Sequence, residues 1–416
     1  MKLKLTFAAL LLSLCAYSQN EPQDIRNQHI AEPQELPNPF DFPILLSGNF
    51  GELRANHFHS GIDFKTQGAE GKAIHVVKDG YVSRIAVSPW GYGNCLYITH
   101  PDGTTTVYAH LQRFSKAIAE YVKAQQYAEE KFALNLFPPA EKFPVKQGEV
   151  VAWSGNTGSS GGPHLHFEVR DTQTEDILDP IPYFKGGIKD KTAPRILGVM
   201  AYPMEGAGIV NGSPKKQDVK LLAQKGGGQT VAPIEAWGEI GFGVKCYDYM
   251  DGTSNIYGVR LITLAVDGKE IFRSDIGRFA FSETRYLNSM TDYALWQTKR
   301  SFYIKSFIEP GNRLSFLAAK NRGIVNINEE RTYEFTYTLK DAFGNTTKLT
   351  IPVRGKQQDI PAVDTEGKEL MYWSQTNRFG AKGVRLTIPR GNLYRNFYMK
   401  YSVRRDSTLL ADTHYL

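Results

Sequence analysis

Gly162-Pro163-His164-Leu165-His166-Phe167-Glu168-Val169 alternates polar, chemically capable side chains with apolar ones. Along a β-strand, residues two apart face the same side. The pattern therefore predicts a strand in which Leu165, Phe167 and Val169 enter a core while His164, His166 and Glu168 line the opposite surface. Two imidazoles on one rigid face suit metal binding or proton transfer. Two surface histidines on an edge strand are the plainer reading of the same pattern.

Histidine placement sharpens the choice. Seven of the nine histidines fall between His57 and His166. Upstream, His59-Ser60-Gly61-Ile62-Asp63 offers an imidazole and a carboxylate, both ordinary zinc ligands. Joined by His166, they make three ligands and leave a fourth position for water, as a catalytic zinc requires. Taken alone, a histidine and an aspartate at this spacing read as a turn with a hydrogen-bonded aspartate.

The surrounding chain is mainly β in pattern. Ala73 to Val77 runs into the Asp79-Gly80 turn, and Tyr81 to Val87 follows with mostly alternating character. Leu96 to His100, then Pro101-Asp102-Gly103, then Thr104 to His110 predicts a hairpin, because Asp-Gly accommodates the positive φ of a tight turn. One segment departs from the β pattern. Ser115 is placed to cap a helix reaching about Phe132, with Ile118, Tyr121, Val122, Ala128 and Phe132 near one face, interrupted by Gln125. Pro138-Pro139 closes this excursion, and Gly148 to Trp153 resumes the sheet.

Taken together, these residues resemble the lysostaphin/LytM-type zinc endopeptidases, a family of peptidoglycan hydrolases. The resemblance covers about Leu46 to Phe184. It rests on His59-Ser60-Gly61-Ile62-Asp63, Gly80-Tyr81-Val82, Gly93-Asn94, Tyr108-Ala109-His110-Leu111, Ser154-Gly155-Asn156-Thr157-Gly158 and Pro163-His164-Leu165-His166-Phe167-Glu168, in that order. It implies a LytM-like antiparallel β peptidase domain that holds Zn2+ through His59, Asp63 and His166. It makes His110 and His164 the unligated catalytic histidines, and the substrate the peptide stems or cross-bridges of the bacterial wall. Such an ion activates water and polarises a carbonyl, while nearby histidines move the proton and stabilise the oxyanion. Glu168 is a candidate to orient a ligand, with an ordinary strand salt bridge as the alternative. Of the remaining candidates, His57 competes weakly with His59, His100 and His75 read as structural, and Arg54 as a surface residue or a partner for a carboxylate near the cleft. The family pattern has a short turn where this chain carries the insertion 112–146, which must lie near the cleft rim and is expected to narrow it or to receive a protein partner, with a passive surface insertion as the alternative.

Downstream, residues 186–356 show short strands without a histidine, such as Gly241 to Tyr247 and Tyr333 to Leu339, and predict an immunoglobulin-like β-sandwich. Residues 357–416 form a further β-rich segment, a small or incomplete third module. Leu349-Thr350-Ile351-Pro352 and Leu386-Thr387-Ile388-Pro389 are identical but too short to establish a repeat. Either β-module offers a surface for wall or protein partners.

At the start, Met1 to Lys4 is a short basic region and Leu5 to Leu14 an apolar run, which predict a signal peptide over 1–18 cleaved after Ser18. Residues 19–41 read as an extended lead-in to a peptidase domain over 42–185. The expected location is therefore outside the cytoplasm, in the periplasm or cell envelope, with lipid attachment at Cys15 as the alternative to cleavage. With Cys15 removed, Cys95 and Cys246 remain, one in each β-rich region, and are expected as free thiols. The 416 residues are 41% hydrophobic and 22% charged, the balance of a globular chain. The net charge of +6 suits an anionic wall polymer and falls short of the dense basic patch of a nucleic-acid binder. Besides an enzyme, two other classes fit the pattern: a non-catalytic activator of another wall hydrolase, and a scaffold or adhesive protein built on the β-modules.

Overall fold

The computed structural model describes residues 33–223, 228–404 and the strand 413–415. The expected signal peptide, Cys15 and the first part of the lead-in lie outside the described residues. From residue 33 onwards the lead-in runs extended and is tied down where the Leu36 N–H donates to the Tyr183 carbonyl and Phe40 is buried.

The quoted strand spans His164–Asp171 and lies inside an antiparallel sheet. It is flanked by Ile62–Lys65, with Leu46–Gly48 beyond, and on its other side by Thr104–Ala109, Cys95–Thr99, Gly80–Val87 and Leu134–Leu136. The expected hairpin forms, with Leu96 opposite Tyr108 and Thr99 opposite Thr105. The Asp79-Gly80 turn makes no hairpin. Ala73–His75 leaves for a small sheet with Val150–Trp153 and Arg113–Phe114, because the Asp79 carboxylate accepts from the Gln147 N–H and from Lys146 and is pinned to that loop. Ile62, Phe64, Leu165, Phe167 and Val169 share one core with Tyr108, Leu96 and Phe184. Ring centres lie 5.2–5.8 Å apart there between Phe64, Tyr108, Phe167 and Phe184, in the edge-to-face contacts aromatic rings prefer.

The insertion carries a helix, Lys116–Glu129. Ser115 occupies its N-cap without a side-chain cap bond. Only Ile118 and Val122 of the expected stripe are buried in it. Tyr121 is half-buried against Phe143, and Ala128 and Phe132 are exposed, Phe132 by 67%. The helix stops short of Phe132 because Glu130 turns left-handed, its N–H donating to the Gln126 carbonyl. Glu129 and Glu130, with no basic residue in the last turn, also oppose the helix dipole. Leu134 and Leu136 supply the apolar contacts instead, on a strand paired with Ile85 and Val87. The helix packs beside the strand Arg113–Phe114 and sets Tyr121 against Phe143.

A second sheet runs in the order Gln217–Val219, Arg195–Val210, Ile234–Tyr247, Thr346–Gly355, Thr332–Lys340, Leu261–Val266, Lys269–Asp275 and Leu317–Ala319. Its pairings are antiparallel except Ile234 to Ala236 beside Val353 to Gly355. Tyr333, Phe335, Tyr337 and Leu339 are buried in alternation, as their spacing predicts. The two β-rich regions interlock. Ile177–Leu178 pairs with Arg278–Phe279, and Phe50, Phe58 and Ile177 belong to the core of the second sheet. Met250 and Tyr257 in turn belong to the core of the first. Cys95 and Cys246 are buried free thiols. Further on, Lys368–Met371 pairs with Phe397–Lys400 and Asn377–Ala381 with Val384–Ile388. The two Leu-Thr-Ile-Pro stretches thus sit in unlike settings, one in the large sheet and one in a two-stranded hairpin. Among the described residues no helix is long and apolar enough to cross a membrane.

Candidate metal centre and active site

Strand register assembles the site. His166 stands opposite Asp63 on one neighbouring strand and opposite Ala109 on the other, so the next residue, His110, arrives beside both. His110 closes its strand at φ +59°, a left-handed conformation uncommon for a side chain of this size, which redirects the chain after Ala109. His59 comes from the loop crossing over the quoted strand. At Gly61 a Cβ would lie 2.1 Å from the Phe167 carbonyl oxygen, so that crossing requires glycine.

Hydrogen bonds fix the tautomers. His59 Nδ1 lies 2.7 Å from the Asn49 carbonyl, which only accepts, so Nδ1 carries the proton and Nε2 presents a lone pair. His166 Nε2 lies 3.0 Å from Glu168 Oε1 and donates there, leaving its Nδ1 as the free lone pair. Those two nitrogens are 3.0 Å apart, and Asp63 Oδ1 stands 3.0 Å from the first and 2.9 Å from the second. With both imidazoles neutral in these tautomers, three lone pairs converge on one point. Tetrahedral zinc with bonds of about 2.0–2.1 Å spaces its ligands only slightly wider, at about 3.4 Å. The residues therefore fit a metal ion, and His59, Asp63 and His166 are all buried and grouped tightly enough to hold one.

The electrostatics agree with a site built for a cation. Burial alone would raise the Asp63 carboxyl, yet His59 and His166 outweigh it and hold it well below the usual range. Burial likewise works to lower His166, but hydrogen bonds to Asp63 and Glu168 raise it to about 9. Without a metal, a proton must take the cation's place.

Two further imidazoles face the cluster. His110 Nδ1 donates to the Thr157 carbonyl at 2.8 Å, and His164 Nδ1 to the Gly162 carbonyl at 2.8 Å, so both present Nε2 as a lone pair. Their rings are 4.7 Å apart, and His164 Nε2 is 3.6 Å from Asp63 Oδ1. Burial, aided by neighbouring imidazoles, lowers His110 to about 4, and burial also lowers His164. Each is a neutral imidazole at neutral pH, able to take a proton.

Glu168 is not on an open surface as the alternation suggests; it is fully buried. Its Oε1 accepts from Ser60, Tyr92 and His166, and its Oε2 from Arg170 Nε at 2.7 Å. Both sequence readings of Glu168 hold at once, since it orients His166 and pairs with Arg170. The arginine charge holds the Glu168 carboxyl down, at about 2, against its burial. Tyr92, which sequence reasoning missed, stacks on His166 at 5.4 Å between ring centres and donates to Glu168. Asn49 was missed as well, and Thr157 was quoted only within its motif, because each acts through a backbone carbonyl. The available signals were the Gly93-Asn94 motif beside Tyr92 and the Ser154–Gly158 motif around Thr157. Arg54 pairs with Glu52 and reaches Asp63 Oδ2 at 3.4 Å. His57 is exposed and bonds Ala55, His75 bonds the Gly148 carbonyl and Asp41, and His100 is buried between Asp79 and Thr106; none joins the site.

Residues 57–128 match the model of Peptidase family M23, and residues 368–416 that of the Zu5-like domain. The first match holds His59, Asp63 and His110 and ends within the insertion helix, before the strand that bears His164 and His166. The chain is 33% identical over 118 residues to the DD-carboxypeptidase/endopeptidase Mpg of Neisseria meningitidis serogroup B, across 28% of this chain and 21% of that protein. It is 28% identical over 130 residues to lysostaphin of Staphylococcus simulans, across 30% and 21%. With the peptidoglycan DD-endopeptidase ShyC of Vibrio cholerae it shares 30% over 142 residues, across 32% and 26%. The chain thus spans between 21% and 26% of the lengths of these relatives. Among solved structures, the catalytic domain of lysostaphin from Staphylococcus simulans aligns at 23% identity and a TM-score of 0.26, over 34% of this chain and 92% of that one. The sheets make a mainly β chain, with two histidines and an aspartate that could hold a metal ion beside its central strand. The chain carries a peptidase M23 domain, followed by a β-rich region that ends in a Zu5-like match.

Proposed function

We propose that this protein is an exported, zinc-dependent endopeptidase that hydrolyses peptide cross-links of bacterial peptidoglycan. The observation that carries the reading is the convergence of three donor atoms, His59 Nε2, Asp63 Oδ1 and His166 Nδ1, within 3.0 Å of one another. A zinc ion held by these residues would supply Lewis acidity toward water and the scissile carbonyl. The chain's own residues do the rest. His110 and His164, neutral with Nε2 turned to the site, divide two tasks: one takes the proton of the attacking water, and the other, once protonated, donates to the oxyanion. Tyr92 and Glu168 hold His166 in the tautomer that leaves Nδ1 bare. The relatives named for DD-endopeptidase activity and lysostaphin support wall peptides as the substrate class. The test is metal analysis of the purified protein together with a digest of isolated muropeptides read by mass spectrometry. About one zinc per chain and cleavage that a chelator abolishes are expected. Folded, active protein without zinc would overturn the mechanism, and a zinc-loaded protein that leaves every cross-link intact would overturn the substrate.

A further inference from the structure

Three aspartates far apart in sequence meet where the two β-rich regions join. Asp190 lies between the short helical turn Ile181–Phe184 and the strand Arg195–Val210. Asp248 directly follows the strand Ile234–Tyr247. Asp341 opens the turn between Thr332–Lys340 and Thr346–Gly355. Their carboxylate oxygens lie within 4.8 Å of one another, and their exposures are 9%, 2% and 5%.

Hydrogen bonding accounts for only part of this cluster. Asp341 is satisfied by its own turn, accepting from the N–H groups of Phe343 and Asn345 and from the Asn345 amide. Asp190 Oδ1 accepts from the Thr192 N–H, but its Oδ2 has no partner, and neither does Asp248 Oδ1. Among the described residues, no lysine, arginine or histidine pairs with any of the three. Buried carboxylate oxygens without a donor are costly, and three negative charges this close are costlier still. Burial and the neighbouring carboxylates push Asp248 up to about 8 and Asp190 up to about 6. The cluster lacks positive charge.

We propose that Asp190, Asp248 and Asp341 form a second metal site, which takes a hard divalent cation of the calcium class and is distinct from the histidine centre. The donors are all oxygen, which suits calcium and not zinc. They come from three separate loops, which suits the flexible coordination of calcium better than the strict octahedron of magnesium. The position gives the ion a task. The Asn345 amide also donates to the Asp190 carbonyl, tying the turn to the connecting segment. Ala342 and Phe343 of that turn, and Met250 and Tyr257 beyond Asp248, pack on the core of the peptidase unit. An ion here fastens the segment leaving the peptidase unit to two turns of the second sheet.

The experiment uses the full chain, loaded with zinc and freed of calcium by passage over a chelating resin, with zinc content measured before and after. Calcium chloride at saturating concentration is expected to raise Tm by about 5 °C. Terbium is expected to give tyrosine-sensitised emission that calcium displaces. Asp248→Asn should lose both responses while its zinc content is unchanged. If Asp248→Asn does not fold, Asp190→Asn carries the same expectation. A native chain with no calcium-dependent shift and no terbium emission would overturn the site, as would an unchanged calcium response in the folded variant. An equal shift with magnesium would overturn the choice of calcium.

Discussion

At the scale of single residues, the site separates atoms whose lone pairs meet from atoms that only face the meeting point. His59, Asp63 and His166 are the former, and His110 and His164 the latter. His166→Ala should therefore lose zinc, because two protein ligands remain. His110→Ala and His164→Ala should keep most of it yet lose activity by about 100-fold or more. Zinc content of each purified variant beside its muropeptide turnover decides; loss of zinc from His110→Ala equal to that from His166→Ala would refute the division. The fold brings together the five residues that the alternating strand and the family resemblance single out. What holds them was not legible in the sequence. Asn49 and Thr157 act through carbonyls, which any residue type carries, and the Tyr92 hydroxyl that donates to Glu168 comes from a separate loop. The aspartate cluster was invisible for a similar reason: Asp190, Asp248 and Asp341 share no local pattern, and only the folded turns bring them together.

At the scale of elements, the insertion helix shows how a periodic pattern overreaches. Spacing alone places Ile118, Tyr121, Val122, Ala128 and Phe132 near one face, but a left-handed Glu130 ends the helix and the next strand takes over the packing. Ile118→Ala should then cost about 2–4 kcal/mol, the usual range for emptying a buried aliphatic site. Phe132→Ser should change stability by less than about 0.5 kcal/mol, as exposed substitutions do. Urea denaturation of both variants separates the two faces, and a comparable loss for Phe132→Ser would mean that Phe132 is covered in solution. The hairpin over residues 95–109 was read correctly because the Asp102-Gly103 turn has a local cause, with Asp102 accepting from the Thr104 N–H and Gly103 at φ +83°. Asp79-Gly80 has the same letters and a different outcome, because its carboxylate is engaged by residues 146 and 147.

At the scale of the whole molecule, the two β-rich regions do not behave as beads on a string. Phe279 is 1% exposed, with its ring 5.2 Å from Phe50 and 5.4 Å from Phe58, both contributed by the peptidase side. Its strand extends the first sheet through Ile177–Leu178, and Arg278 beside it bonds Asp171 and Asp176. Phe58 immediately precedes His59, and the Phe58 N–H donates to Thr284 across the junction. Apolar area shared in this way couples the folding of both regions, so they should melt in one cooperative transition. Phe279→Ala should cost about 3–5 kcal/mol, as emptying a buried phenylalanine site does. It should lower that single Tm by about 5–10 °C. Zinc should also leave the variant at a lower temperature than the native chain, because the wall behind His59 has lost its filling. Calorimetry with a zinc-sensitive dye checks both at once. Two well-separated transitions in the native chain, with zinc released in one and the Phe279→Ala shift confined to the other, would show that the junction does not carry the coupling.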